Sequence, residues 1–354
     1  MNRIASRRRI VAATISLATA TAAAAALGVP AAAAATSTDY VALGDSYSSG
    51  TGTRSYLNDG TSCQRSLYAY PALDAGALGL SLTFRACSGA TVADVTSAQL
   101  SALTTSTDYV TISVGGNDAG FASVLTTCAL PGWMSNCNRA VDGAQNIINN
   151  TLPGRLATLY SSIASKAPNA QVIVVGYPRI FNGQDCNALT WFSSSEETRL
   201  NATADLLNAK TASAAAAKGF TFVNPTSSFI GHAVCDRTEW INGLSNPITE
   251  SYHPNRTGQA SGYAALTKPE FSVPVSQAAK AKKISAASLA KSAAQYRSLD
   301  AAITPKEFIA PDLSTPAAKA AAKAAGVDLN SRASIDRADR LATAAQDRAQ
   351  VFAR

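Results

Sequence analysis

The chain has 354 residues, of which 47% are hydrophobic and only 15% charged, and its formal net charge is +7. That charge is unevenly placed: +4 in residues 1–35, −3 in residues 36–273 and +6 in residues 274–354. The basic balance therefore lies outside the central body, which removes most of the support for a nucleic-acid-binding function.

The first element has the three-part form of a secretory signal. Arg3, Arg7, Arg8 and Arg9 form a basic start, an alanine-rich apolar run extends from Ile10 to Leu27, and small residues lead to an A-x-A-type site at Ala33 to Ala35. The expectation is cleavage near Ala35 and a secreted mature protein, the choice between Sec and twin-arginine export staying open. Secretion makes the six cysteines an even set in an oxidising compartment. Connectivity is not fixed by sequence, but sequential pairing (Cys63 with Cys87, Cys128 with Cys137, Cys186 with Cys235) closes the shortest loops and is the expectation. With no C-x-x-C and only two histidines, neither a metal nor another cofactor is expected.

In the body, short runs rich in Val, Ile and Phe alternate with stretches of helical period. The predicted strands are Tyr40 to Leu43, Leu82 to Ala86, Tyr109 to Val114, Gln171 to Gly176 and Phe220 to Val223. The predicted helices are Ala72 to Leu78, Val92 to Leu103, Asn138 to Lys166 and Ser194 to Lys218. This alternation predicts an α/β domain with a mainly parallel sheet covered on both faces. Three segments are expected: a signal peptide (1–35), a catalytic domain (36–273) and an Ala/Lys-rich helical extension (274–354). In the extension Pro316 is placed to open one helix. Ile335, Ala338, Leu341, Ala345 and Phe352 recur at helical spacing and predict the apolar face of a last one.

Candidate chemistry sits where predicted strands end. "YVALGDSYSSG" runs from the first strand into Ser46, which needs an imidazole to take its proton and donors to hold the oxyanion that forms. Of the two histidines, His253 in "SYHPN" lies in a loop before a helix rich in small residues, whereas His232 lies three residues before Cys235, where a disulfide would constrain it, and reads as a surface or hydrogen-bonded histidine. "SVGGNDAG" brings Asn117 to the carboxyl end of a strand, the edge where open α/β sheets bind ligands. Asp118 beside it reads as the cap of the following helix. "ACSGAT" ends another strand, with Gly89 able to turn its N–H toward the same crevice.

In that order, "GDSYSSG", "CSGAT", "GGND" and "SYHPN" form a four-block pattern, and the chain resembles a secreted actinobacterial lipase or esterase of the SGNH hydrolase (GDSL) family over about residues 38 to 268. The resemblance implies a three-layer α/β/α flavodoxin-like fold and hydrolysis of acyl esters through an acyl-enzyme. It implies Ser46 as nucleophile and His253 as general base, with the backbone N–H groups of Ser46 and Gly89 and the Asn117 amide forming the oxyanion hole. The family often has an Asp three residues before the histidine; here that position is Glu250. The acceptor that orients His253 is therefore either Glu250 or the backbone carbonyl of Ser251.

Phospholipase and acyltransferase activities use the same residues and stay open, as does a non-catalytic envelope- or polymer-binding protein tethered by its basic tail. A lipid or small-ester substrate, a monomeric state, no nucleic-acid partner and weak contact of the extension with an anionic envelope or membrane surface complete the expectations. Trp133 and Trp191 are read equally as acyl-groove or core residues.

Overall fold

The computed structural model describes residues 38–273 and 284–352, so the signal segment lies outside the described residues. No helix among the described residues is long and apolar enough to cross a membrane. Five strands form one parallel sheet in the order β2-β1-β3-β4-β5. They are β1 (Asp39–Gly44), β2 (Ser81–Phe84), β3 (Tyr109–Ser113), β4 (Gln171–Val175) and β5 (Thr221–Val223). The central strands are buried along nearly their whole length, as expected for a parallel sheet covered on both faces.

The chain steps from β1 to β2 on one side and then to β3 on the other. The carboxyl ends of β1 and β3 thus flank a switch point, where such sheets open a crevice. Gly44 pairs with Ser113 at the end of the register, so Asp45–Ser46 and Val114–Asn117 leave the sheet as neighbours.

The helices are α1 (Ser46–Ser49), α2 (Tyr70–Leu78), α3 (Val92–Asp94), α4 (Phe121–Ala129), α5 (Cys137–Asn150), α6 (Leu152–Lys166), α7 (Ser194–Ala216) and α8 (Ala265–Thr267). Two predicted helices are broken. The span expected from Asn138 to Lys166 divides at Thr151 because Pro153 lacks an N–H and starts α6. The span expected from Val92 to Leu103 passes from α3 into a wide π turn (Val95–Gln99) and a 3-10 turn (Leu100–Ala102). This irregular course carries Gln99 to Gly44 at the end of β1. Disulfides join Cys63 to Cys87, Cys128 to Cys137 and Cys186 to Cys235, the first tying a loop after α1 to the end of β2.

The extension carries α9 (Ala286–Ala294), α10 (Arg297–Asp300), α11 (Pro316–Ala325) and α12 (Arg332–Phe352), and it packs with the body as one compact unit. Leu289, Ile303 and Phe308 are buried in the same core as the sheet. The last helix differs from its predicted apolar face: Leu341 is 67% exposed, while Ile335, Asp339 and Thr343 are buried. Backbone polar groups of the loop before α5 account for the difference. Asp339 accepts from the N–H of Gly132 at 2.7 Å, and the Gln346 amide donates to the carbonyls of Gly132 and Ser135 at 2.8 and 2.7 Å.

Candidate active site

Ser46 follows β1 directly and opens α1. Gly44 makes the approach possible: its φ is +120°, and a Cβ there would meet the carbonyl oxygen of Ser113 at 2.4 Å. The fully buried Gln99 fixes this glycine from both sides, accepting from its N–H at 2.7 Å and donating to its carbonyl at 2.8 Å. Asp45 then caps α1 by accepting from the N–H of Tyr47. Its carboxylate also accepts from the hydroxyls of Ser113 at 3.0 Å and Tyr177 at 2.5 Å. Burial pushes the Asp45 carboxyl up to about 6, with the three hydrogen bonds opposing. Sequence reasoning missed Gln99 and Tyr177. Asp45 lay in view within "GDS", but its partners are 68 and 132 residues away.

His253 is delivered by a loop whose preceding residue, Tyr252, adopts a left-handed φ of +60°. A bulky residue in that region is costly and is held by its surroundings: the Tyr252 side chain is buried, and its carbonyl accepts from the Tyr47 hydroxyl at 2.9 Å. The imidazole Nδ1 lies 2.9 Å from the carbonyl oxygen of Ser251, and Nε2 lies 2.9 Å from Ser46 Oγ. A carbonyl only accepts, so Nδ1 carries the proton and Nε2 is left to accept the Ser46 hydroxyl proton. Burial pushes the imidazole down from the ordinary 6.5 to about 4, with the Ser251 contact opposing.

Glu250 points elsewhere, although it is buried. It accepts from the Tyr56 hydroxyl at 2.6 Å and pairs with Arg54 Nε at 3.2 Å.

Asn117 lies at the turn after β3, its side-chain amide donating to the Ala90 carbonyl at 3.0 Å with one N–H to spare. Gly89, one residue before Ala90, has a φ of +85°. Among the described residues none accepts a hydrogen bond from the backbone N–H of Ser46 or of Gly89. Asp118 does not cap the helix that follows it. It accepts from the N–H of Val92 at the start of α3 and pairs with Arg155, because the turn carries its side chain back across the sheet end. His232 stacks on Trp240 with ring centroids 3.7 Å apart, and its Nδ1 meets the Thr238 carbonyl, away from the crevice.

Ser46, Asn117 and His253 line one cavity of about 720 Å³, its open mouth included; Gly89 is not among its lining residues. Beyond the polar end the walls are apolar, formed by Phe121, Ala122 and Leu125 of α4, Ile148 of α5, and Ala204 and Leu207 of α7. Neither Trp133 nor Trp191 lines it. Trp191 is buried beneath α12, its indole N–H donating to Asp336 at 3.1 Å and its ring facing Arg332.

Comparison with known proteins bears on this arrangement. The model of the GDSL-like Lipase/Acylhydrolase family matches residues 42–260. A lipase of Streptomyces rimosus is 45% identical over 260 residues, covering 73% of this chain and 96% of that protein. Lipase 1 of Streptomyces coelicolor is 46% identical over 227 residues, or 63% and 83% of the two chains. Among solved structures, an extracellular lipase of S. rimosus superimposes with a TM-score of 0.63 at 44% identity. A phospholipase A1 of Streptomyces albidoflavus does so with the same TM-score at 41% identity. Each structure is spanned whole by 66% of this chain.

Proposed function

Because the chain belongs to the GDSL-like lipase/acylhydrolase family and is a carboxylic ester hydrolase, we propose that it is a secreted lipase or esterase whose nucleophile is Ser46 and whose general base is His253. The observation that carries this reading is the continuous chain from the Ser251 carbonyl through His253 Nδ1–H and Nε2 to Ser46 Oγ, each contact 2.9 Å. In the first half-reaction Ser46 Oγ attacks the ester carbonyl while its proton passes to Nε2. The spare Asn117 N–H and the free N–H groups of Ser46 and Gly89 take up the charge on the carbonyl oxygen. The proton on Nε2 then leaves with the alcohol, and water repeats the sequence on the acyl-enzyme, releasing the acid and restoring Ser46. The Ser251 carbonyl holds the tautomer this relay needs, a role Glu250 cannot take while it is engaged with Tyr56 and Arg54.

The apolar floor between α4, α5 and α7 supports acyl chains as the recognised group. A phospholipid is the second reading of the substrate, favoured by the 41% identical relative that is a phospholipase A1. The site is complete within one chain, which supports a monomer as the active unit. The basic start, apolar run and small-residue site of residues 1–35, together with an extracellular relative, support secretion. Residues 36–273 are then the catalytic domain and 274–354 its extension. The +6 charge of that extension supports weak attraction to anionic surfaces, and a non-catalytic role has no support beside the Ser46–His253 contact. The test is hydrolysis of nitrophenyl esters and of phosphatidylcholine vesicles by wild type, Ser46→Ala and His253→Ala. Both variants should lose activity on every substrate, and a Ser46→Ala protein as fast as wild type would remove the proposal.

A further inference from the structure

The extension reaches the crevice that holds Ser46 and His253. Between α10 and α11 the chain runs as an extended strap, residues 303–310, with no helix or strand of its own. Three contacts fix its course. At its start Ile303 is buried beside Asp300, which two buried arginines of the body clasp. The backbone then crosses Gly89: a Cβ on that glycine would lie 2.6 Å from the carbonyl oxygen of Thr304 and 2.7 Å from Pro305 Cα. Further on, the N–H of Ile309 donates to the Thr126 hydroxyl of α4 at 2.9 Å. The strap therefore bridges the crevice from the end of β2 to the helix that supplies one wall of the cavity. From its middle, Lys306 and Phe308 enter the cavity lining. Phe308 is 5% exposed and sits edge-on against Tyr252, the residue before His253, with ring centroids 4.9 Å apart.

We propose that this strap is the roof of the acyl-binding pocket and that Phe308 is the residue of the roof that sets which acyl chain lengths are accepted. The inference rests on the reading of Ser46 as the nucleophile, because only then is the apolar cavity beside it an acyl site. The physical reasoning is steric and hydrophobic. A buried phenyl ring closing one side of a pocket limits the chain that fits beneath it, and each methylene of a chain that does fit gains about 0.8 kcal/mol, roughly four-fold in kcat/KM, on leaving water. A pocket with its roof removed accommodates more methylenes, so discrimination between long and short esters must change while chemistry at the ester carbonyl stays as it was.

The experiment compares nitrophenyl esters from acetate to palmitate with wild type, Ser46→Ala, Phe308→Ala and Phe308→Trp, each in the full chain, with thermal unfolding measured alongside. Phe308→Ala should raise the ratio of kcat/KM for the dodecanoate and palmitate esters over the butyrate ester by about ten-fold or more, mainly through KM. Phe308→Trp should lower that ratio. If Phe308→Ala fails to fold, Phe308→Leu and Phe308→Trp carry the same comparison. Profiles superimposable on wild type, or a change that scales all esters equally, would overturn the roof assignment. Activity retained by Ser46→Ala would instead overturn the catalytic reading beneath it, so the two failures are distinguishable.

Discussion

Replacing Asp300 with asparagine removes one charge from a closed ion cluster that joins the extension to the body. Asp300 is fully buried. It receives Arg65 Nη2 at 2.6 Å and two nitrogens of Arg85, at 2.8 and 3.1 Å, and both arginine side chains are fully buried as well. Arg65 also pairs with Asp59 at 2.8 Å, so two cations face two anions. Burial pulls the Arg85 guanidinium down from its ordinary value, and Asp300 is the main group that opposes this. Without the Asp300 charge Arg85 loses its anionic partner, and its other contacts among the described residues are the Ala98 carbonyl at 2.8 Å and the face of Tyr296, 3.9 Å from its carbon. Breaking one partner out of a buried ion pair costs about 3–5 kcal/mol because the remaining charge is left uncompensated. That is a large share of the roughly 5–15 kcal/mol that stabilises a typical domain. Urea unfolding with the disulfides intact should show Asp300→Asn losing stability in that range with little change in slope. The double variant Arg85→Met/Asp300→Leu, which removes opposite charges together, should recover most of the loss. Because Ile303 follows Asp300 by one turn, the single variant should also blur the acyl-length preference. A loss below about 1 kcal/mol would refute the argument that this cluster clamps the strap.

The low-pH limb of kcat/KM should fall with an apparent pKa near 4, since burial holds the free imidazole of His253 neutral well below 6.5; a limb centred between pH 6 and 7 would contradict that placement. Denaturation is the weaker readout over this range. As pH falls from 6.5 through 4 the unfolded state protonates His253 first and loses nothing, so folding weakens, whereas Asp45, raised to about 6, takes its proton in the folded state and strengthens it. Glu250→Gln should leave kcat/KM within a few fold of wild type while lowering the unfolding midpoint, because Glu250 binds Tyr56 and Arg54. A rate loss approaching the roughly 10⁴-fold typical of an altered triad carboxylate would give the orienting role to Glu250. Asn117→Ala should lower kcat by about 10²- to 10³-fold with a smaller effect on KM, measured on a soluble nitrophenyl ester; an unchanged kcat would exclude its amide as an oxyanion donor.

What sequence conveyed and what it withheld divide along the range of the contacts involved. The strands were legible because their composition is local and both faces are buried, so apolar runs alone mark them. Ser46, Asn117 and His253 were legible because each follows a turn with its own chemistry: Gly44, Gly115–Gly116, and the loop before Pro254. The choice between Glu250 and Ser251 was not legible, since it depends on whether Tyr56 and Arg54, some 194 residues earlier, draw the carboxylate away. The last helix misled for a related reason. Its apolar residues at helical spacing suggested a buried stripe, but the groups it covers are backbone amides and carbonyls of residues 132–135, and those select Asp339 and Gln346 instead of Leu341.

The same reasoning explains why the strap had no local signature. "ITPKEFIA" contains one Pro, two charges and three large apolar residues, an unremarkable linker by composition. Its significance arises from two features fixed elsewhere. Gly89 has no side chain to hold the strap off, and the buried Arg65–Arg85 pair accepts a carboxylate from no other described residue than Asp59 and Asp300. A body that already carries two buried cations and a glycine that admits close backbone approach is shaped for a covering segment. Asp300 and Phe308 therefore act as one device, the first holding the strap down by charge and the second closing the pocket by shape. If they do, their effects on acyl-length preference will not add: in Asp300→Asn the strap is already loosened, so Phe308→Ala should change the long-to-short ratio less there than in wild type. Fully additive effects would separate the clamp from the roof.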